Sequence, residues 1–268
     1  MRRSRKSHEL AETSRHTVGV RRGDEPERER IASDAIREMY ALIPSLGSFR
    51  VEFDKRVPFA VAFGWWIRVI RTAEGLRLMH QAGLAHESSP LLRTILHHTA
   101  AIEWLTRDPE EVLDALREEH EQRRHTLGEK ARQRDWDLTE VDLGSRPPKK
   151  KVIGLEYLRQ FEQMCDRIGV ANLYVAYMLE STYSHASGLS ADAYLDLDEQ
   201  GWPRLRDTAA LEGVPLTTTA MFAATATSIV GGFIQDDRLT TIAAAVGDRL
   251  QVPVTLVDAA KDDSRSGG

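Results

Sequence analysis

Apolar residues recur at helical spacing along most of the chain. Ile31, Ala35, Met39 and Leu42 form the first apolar stripe, and Pro44 ends it. Spacings of three and four residues place such side chains on one face of an α-helix. The same pattern predicts further helices over residues 58–81, 91–106, 108–134, 155–168, 170–187, 215–232 and 238–250. The sequence therefore predicts an all-α protein, a multi-helix bundle of about seven to eight helices.

One short segment, near residues 193–206, shows strand-like alternation instead. Tyr194-Leu-Asp-Leu-Asp alternates apolar and polar residues, Gly201 supplies a turn, and Trp202-Pro-Arg-Leu follows. Two alternating runs around a glycine-containing turn are typical of a β-hairpin. We expect a small β-hairpin inserted on the bundle.

The two ends of the chain lack any apolar period. Residues 1–25 are rich in arginine and predict a disordered basic arm, and residues 259–268 predict a disordered tail. Two prolines and a lysine run predict a loop over residues 144–151. The apolar helices on both sides of that loop need each other for burial, so residues 26–258 are expected to form a single helical domain.

Composition limits the kinds of function. The chain has 268 residues, and 41% are hydrophobic, which suffices for a sizeable core. A formal net charge of −5 gives no indication of nucleic-acid binding by bulk charge, and the single cysteine, Cys165, excludes an internal disulfide. Residues 213–235 are uncharged over a transmembrane length, but their threonines, Pro215 and Gly231-Gly232 favour a buried helix. We expect a cytoplasmic protein without a membrane partner.

Two near-neighbour histidines resemble a zinc-protease pattern without fulfilling it. His120 and His125 are five residues apart, about 140° around a helix, whereas zinc requires two histidines one turn apart. Phosphate-binding glycine loops and Cys-x-x-Cys pairs are absent from the sequence. We therefore expect no metal and no cofactor.

Two polar clusters interrupt apolar helices. In the first, Arg93 and His97 share one helix face, His98 points away from Arg93, and Glu103 follows downstream. A buried arginine needs a partner, so Arg93 is expected to meet a carboxylate or a bound anion.

The second cluster lies in the helix predicted over residues 170–187. Tyr177, Glu180 and Ser184 form one stripe, and Tyr183 and His185 lie beside it. Such a helix forms either a buried hydrogen-bond network or the wall of a pocket. If the two helices touch, Glu180 is the expected partner of Arg93.

The elements Leu91-Leu-Arg93-Thr-Ile-Leu-His97, Ile102-Glu-Trp-Leu105 and Tyr183-Ser-His185 resemble a family of uncharacterised bacterial helical proteins of actinobacterial type, over residues 57–197. His97 occupies the position where that family carries a glutamate. The resemblance implies a helical domain and no particular activity.

The spacing Arg93-x4-His98 also resembles the HEPN class of helical bundles, many of which are ribonucleases. That resemblance implies a metal-independent ribonuclease that acts as a homodimer. His98 would be the general base on the ribose 2′-hydroxyl, and Arg93 would stabilise the charge on phosphorus.

These observations give a leading functional hypothesis and two alternatives. The leading one is a HEPN-like domain that binds a nucleotide or RNA and cleaves RNA through Arg93 and His98. The alternatives are a non-catalytic small-molecule pocket lined by Arg93, Glu180 and His185, and a protein-interaction bundle in which both clusters are structural. The expected ligand-binding residues are His97, Glu103, Tyr177, Glu180, Tyr183, Ser184 and His185.

Overall fold

The computed structural model describes residues 25–136, 152, 154–185, 188–206 and 215–256. Its structure is 77% helical, with ten α-helices and one two-stranded sheet in these ranges, which confirms the predicted all-α bundle with a hairpin. The helices are α1 (Glu25–Leu42), α2 (Arg56–Gln81), α3 (Ser89–Arg107), α4 (Pro109–Arg132), α5 (Leu155–Arg159), α6 (Phe161–Ile168), α7 (Ala171–Ser184), α8 (Gly188–Asp192), α9 (Leu216–Ile234) and α10 (Asp237–Leu250). A short 3₁₀ turn, Ile43–Ser45, follows α1, and another, His86–Ser88, precedes α3.

Helices α3 and α9 form the centre of the bundle. Helix α9 packs against α1, α2, α3 and α10, and α3 also packs against α2, α4, α6 and α7. The small side chains of α9 allow close approach, and the Trp66 indole of α2 donates a hydrogen bond to the Thr227 hydroxyl of α9 at 2.9 Å. Both side chains are completely buried, so this bond fixes how α2 lies on α9.

Helix α9 is also long and apolar enough to cross a membrane by length and composition. Within the bundle, 56% of its most apolar window is buried. The prediction of a buried core helix over residues 215–232 thus agrees with its packing against four other helices.

The first turn of α9 receives its cap from a distant helix. The Glu29 carboxylate of α1 accepts hydrogen bonds from the backbone N–H of Leu216 at 3.0 Å and of Thr217 at 3.5 Å. A carboxylate at this position satisfies free backbone donors and interacts favourably with the helix dipole. The contact ties α1 to the start of α9.

Two helices lack the N-terminal side-chain cap that their local sequence offers. Ser89 and Asp108 precede prolines in the pattern of a capped helix start, but neither side chain caps a helix. The Ser89 hydroxyl instead donates to Glu180 at 2.6 Å, and the Asp108 carboxylate pairs with Arg167 at 2.9 Å. In both cases a partner from another helix competes successfully with the local backbone.

The predicted helix over residues 155–168 is two helices, which is a correction to the sequence pattern. Gln160 adopts an extended backbone conformation between α5 and α6. The break turns Phe161 inward, where it is buried with its ring 4.4 Å from the ring of Tyr177. The free energy gained by burying the Phe161 ring offsets the cost of interrupting the helix.

The β-hairpin lies within the predicted segment. Strands β1 (Leu195–Leu197) and β2 (Pro203–Leu205) pair antiparallel, with Leu195 opposite Leu205 and Leu197 opposite Pro203. All of its strand residues are exposed. The predicted loop over 144–151 and the two predicted tails lie outside the described residues, apart from Glu25 at the start of α1.

Adjacent glycines of α9 provide a matched test of how closely α9 and α10 approach. A Cβ at Gly231 would lie 2.8 Å from Leu239 Cβ and 3.0 Å from the backbone nitrogen of Thr240, whereas a Cβ at Gly232 meets nothing within 4 Å. We expect Gly231→Ala to lower the free energy of unfolding by about 1–3 kcal/mol because the helices must separate. Gly232→Ala is expected to raise it by up to about 1 kcal/mol through helix propensity. Urea denaturation of both variants measures the difference, and equal effects would contradict the close contact.

Candidate functional site

The two polar clusters of the sequence meet where α3 packs against α7. Ser89 contacts Glu180, and one turn further along α3 Arg93 contacts Tyr177. Because an advance along α3 corresponds to a step back along α7, the two helices run antiparallel. The packing brings most of the predicted residues to one interface.

The Arg93 guanidinium is held by neutral groups. Its Nη2 donates to the Tyr177 hydroxyl at 2.8 Å, its Nη1 donates to Nε2 of His185 at 3.1 Å, and its Cζ lies 4.7 Å from the centre of the Tyr177 ring. Among the described residues no carboxylate lies within ion-pairing distance of Arg93. The predicted pairing with Glu180 is therefore wrong, since the Glu180 carboxylate accepts from Ser89 instead.

His98 has a defined tautomer. Its Nδ1 lies 2.8 Å from the backbone oxygen of Thr94, one turn earlier on α3. A carbonyl oxygen only accepts hydrogen bonds, so Nδ1 carries the proton and Nε2 of the neutral ring keeps a free lone pair. Burial lowers the pKa of His98, an effect that the hydrogen bond to Thr94 opposes and the positive charge of Arg68 reinforces. The ring is therefore neutral at pH 7, with Nε2 as its basic atom.

His97 lies deeper in the same interface. Its ring centre is 5.4 Å from that of Phe161 and 5.9 Å from that of His98. Burial, with smaller contributions from His98 and Arg93, lowers the pKa of His97 to about 4. His97 is thus a neutral, largely packed side chain at physiological pH.

An open cleft of about 310 Å³ lies over this part of α3. Its walls contain the guanidinium of Arg93, both histidines and the ring of Tyr177. The lining residues are Pro90, Arg93, Thr94, His97, His98 and Tyr177. The cleft thus combines one cation without a carboxylate partner and one neutral imidazole with a free lone pair, which is a suitable arrangement for an anionic ligand.

Other predicted residues lie outside the cleft. The Glu103 carboxylate accepts from Nε of Arg107 at 2.8 Å, further along α3. The Tyr183 ring lies 5.4 Å from the ring of His86, and the Ser184 hydroxyl donates to the backbone oxygen of Glu180 within α7. Burial raises the pKa of Glu180, against the lowering effects of Ser89 and His86. The contacts of Glu103 and Ser184 thus lie within their own helices, whereas those of Tyr183 and Glu180 join α7 to the start of α3 and the turn before it.

Two residues of the site were not singled out from the sequence. Thr94 contributes the backbone oxygen that orients His98, a role available to any residue four positions before a histidine on a helix. Phe161 supports both His97 and Tyr177, and only the break at Gln160 reveals that it turns inward.

Within the ranges that the structure describes, no three His, Cys, Asp or Glu side chains form a group that could hold a metal ion. His120 and His125 are both exposed on α4, away from the cleft lining.

The comparison with family models identifies the chain. A model described as a family of unknown function, DUF5677, matches residues 59–201, more than half of the 268 residues. The chain therefore belongs to the DUF5677 family, which confirms the predicted membership of an uncharacterised family. No curated protein and no solved structure matches the chain. The matched range contains α3, α7 and every residue that lines the cleft.

The low pKa of His97 predicts acid sensitivity. In the unfolded chain a histidine takes up a proton near pH 6.5, whereas folded His97 does so only near pH 4. The unfolded state therefore binds more protons between these values, so stability present above pH 6.5 is lost as the pH falls towards 4, by at most about 3 kcal/mol. Urea denaturation between pH 7 and 4.5 measures this loss.

His97→Gln is expected to flatten that pH dependence, because glutamine takes up no proton. Part of the slope will remain, since the pKa of His98 is lowered in the same direction. His125→Gln, at an exposed position of α4, is the control and should keep the full slope. An unchanged slope in His97→Gln would show that burial does not hold His97 neutral.

Proposed function

We propose that this member of the DUF5677 family binds single-stranded RNA at the cleft over α3 and cleaves it without a metal ion. The observation that carries the proposal is the pairing, in one open cleft, of Arg93 with a neutral His98 whose Nε2 is free to accept a proton. The resemblance of Arg93-x4-His98 to the HEPN motif points to the same chemistry.

The surroundings of Arg93 support an anionic ligand. Tyr177 and His185 orient the guanidinium without neutralising its charge, so its attraction for a phosphate group is retained. Guanidinium groups bind phosphate oxygens through parallel N–H donors. A rigidly held arginine also loses less side-chain entropy when a ligand binds.

The surroundings of His98 support general base catalysis. Its lowered pKa keeps Nε2 unprotonated at neutral pH, and the hydrogen bond to Thr94 fixes the ring orientation. Proton transfer to a positioned side chain of this kind contributes about 10²–10⁴-fold to the rate of a reaction.

The proposed reaction is an internal transesterification. His98 Nε2 takes the proton from a ribose 2′-hydroxyl, the 2′-oxygen bonds to the adjacent phosphorus, and the bond from phosphorus to the 5′-oxygen breaks. The leaving 5′-oxygen takes a proton from water, the hydroxide so formed removes the proton from His98, and the products are a 2′,3′-cyclic phosphate and a 5′-hydroxyl. Arg93 stabilises the negative charge that builds up on the phosphoryl oxygens.

The proposal includes the homodimer that the HEPN resemblance implies, with two clefts facing one another. His97, with its pKa of about 4, is not a proton donor at neutral pH. A second copy facing the cleft would bring its own Arg93 and His98 to the same phosphate group.

The small-molecule alternative has weaker support. It requires Arg93, Glu180 and His185 to line one pocket, but neither Glu180 nor His185 belongs to the cleft lining. The interaction-bundle alternative treats the contacts of Arg93 as structural, and it predicts no RNA cleavage.

A cleavage assay in the presence of EDTA tests the proposal. We expect the full-length protein to cut a single-stranded RNA oligonucleotide and to leave a 2′,3′-cyclic phosphate, which mass spectrometry of the products identifies. His98→Ala and Arg93→Gln should each reduce the rate by at least about 100-fold, since one removes the base and the other the stabilising cation. An oligonucleotide with 2′-deoxyribose should remain intact because it lacks the nucleophile.

His125→Ala is the matched control, because it removes an exposed histidine of α4 that does not line the cleft. It should cleave at the wild-type rate. Equal cleavage by the wild type and His98→Ala would point to a contaminating nuclease, and no cleavage by any preparation would contradict the proposed activity.

A further inference from the structure

We propose that Arg68 and Arg71 of α2 extend the Arg93 cleft into a track for a polymeric RNA backbone, so that the substrate is a chain of several nucleotides and not a mononucleotide. This inference rests on the proposed function and adds the substrate class and two contact residues that the cleft lining does not include.

Helix geometry places Arg68 beside His98. Helices α2 and α3 are consecutive and joined by a short connection, and a Cβ at Gly75 would lie 3.9 Å from Leu91 Cδ1, which aligns these two positions. Arg68 precedes Gly75 by seven residues, and His98 follows Leu91 by seven. Seven residues are about two helical turns, so in an antiparallel pair Arg68 and His98 lie at the same level.

Electrostatics agrees with this placement. The positive charge of Arg68 lowers the pKa of His98, although burial is the larger cause. The charge of Arg68 thus acts on His98 and that of Arg93 on His97, so both arginines lie close to the histidine pair.

Arg71 lies on the same face of α2 as Arg68. It follows Arg68 by three residues and precedes Gly75 by four, which keeps all three within one side of the helix. Both arginines are exposed. The track is thus a row of guanidinium groups along the border between α2 and α3.

Neither arginine is neutralised by the described part of the protein. Arg68 and Arg71 make no ion pair, side-chain hydrogen bond or cation–π contact with any described residue. The nearest acidic residue along α2, Glu74, gives both carboxylate oxygens to Arg77, at 2.7 Å each. Most other exposed arginines in the described ranges pair with a carboxylate, for example Arg37 with Asp34 and Arg117 with Asp114.

Successive phosphates of a single strand fit this arrangement. One phosphate would lie on Arg93 beside His98, and the next ones would lie on Arg68 and Arg71. Each phosphate contact releases counterions, so it contributes about −0.7 to the slope of log affinity against log salt concentration for a single strand. A mononucleotide offers only one such contact.

Fluorescence anisotropy with a labelled 2′-O-methyl RNA decamer tests the track, because this ligand binds without being cleaved. We expect Arg68→Gln and Arg71→Gln each to weaken binding about three- to tenfold and to reduce the salt slope by about 0.7. Arg50→Gln, an exposed arginine of the loop before α2 with no ion pair in the described structure, is the charge-matched control and should bind as the wild type does.

A second ligand, adenosine 3′-monophosphate, separates the track from the cleft. Arg93→Gln should weaken its binding, measured by calorimetry, whereas Arg68→Gln should leave it unchanged. If Arg68→Gln weakens binding of the mononucleotide as much as Arg93→Gln does, the track is overturned and Arg68 belongs to the cleft. Decamer affinities of Arg68→Gln and Arg71→Gln equal to that of Arg50→Gln would also overturn it.

The two proposals fail in different ways. If Arg68→Gln and Arg71→Gln bind the decamer as the wild type does, but cleavage still depends on His98, only the track is overturned. Absence of decamer binding by the wild type, at low salt, would overturn the track and remove the RNA substrate from the proposed function as well.

Discussion

Packing on several sides of helix α3 is the constraint on which the site depends. Helices α2, α4, α6, α7 and α9 all contact α3. A polar side chain on such a helix has little access to water and must find a partner in a neighbouring helix or at an opening. The Ser89 hydroxyl donates to Glu180, and the Arg93 guanidinium donates to Tyr177 and His185. The His98 ring donates to the backbone of its own helix. The cleft is the opening that these partners leave.

The choice of partners determines the charge of the cleft. A carboxylate beside Arg93 would have satisfied its hydrogen bonds and cancelled its charge. The Tyr177 phenol and the His185 imidazole accept from the two terminal nitrogens of Arg93 and leave the positive charge in place. Partial burial strengthens the electrostatic attraction of this charge for an anion. It also keeps His97 and His98 neutral, as their lowered pKa values indicate. One environment thus leaves a positive charge on Arg93 close to two uncharged imidazole rings.

Periodicity predicted most helices well because it reports burial, which is what stabilises them. Helices α2, α7, α9 and α10 lie within three residues of their predicted bounds, and the hairpin lies where alternation indicated it. Local capping signals were less reliable. Ser89 and Asp108 had suitable positions, but Glu180 and Arg167 offered charged partners, whose hydrogen bonds are stronger than those of a neutral cap. The break at Gln160 likewise follows from burial of Phe161 against α7, a contact between elements that no local pattern encodes.

The sequence by itself determined the helical architecture, the hairpin and the two polar clusters, because spacing along a single helix decides which side chains share a face. It placed Arg93 and His98 in one candidate site and Tyr177, Glu180 and His185 in a second polar cluster, with Glu180 as the expected partner of Arg93. Only the tertiary structure decided which cluster members meet, since that depends on the direction and level at which α7 and α2 lie against α3. This packing separated Glu180 from Arg93, excluded Glu103 from the cleft and brought Arg68 to the level of His98. Contacts between helices arise when whole helix faces are buried against one another. The residue pattern of a single helix shows which face is apolar but not which other helix covers it.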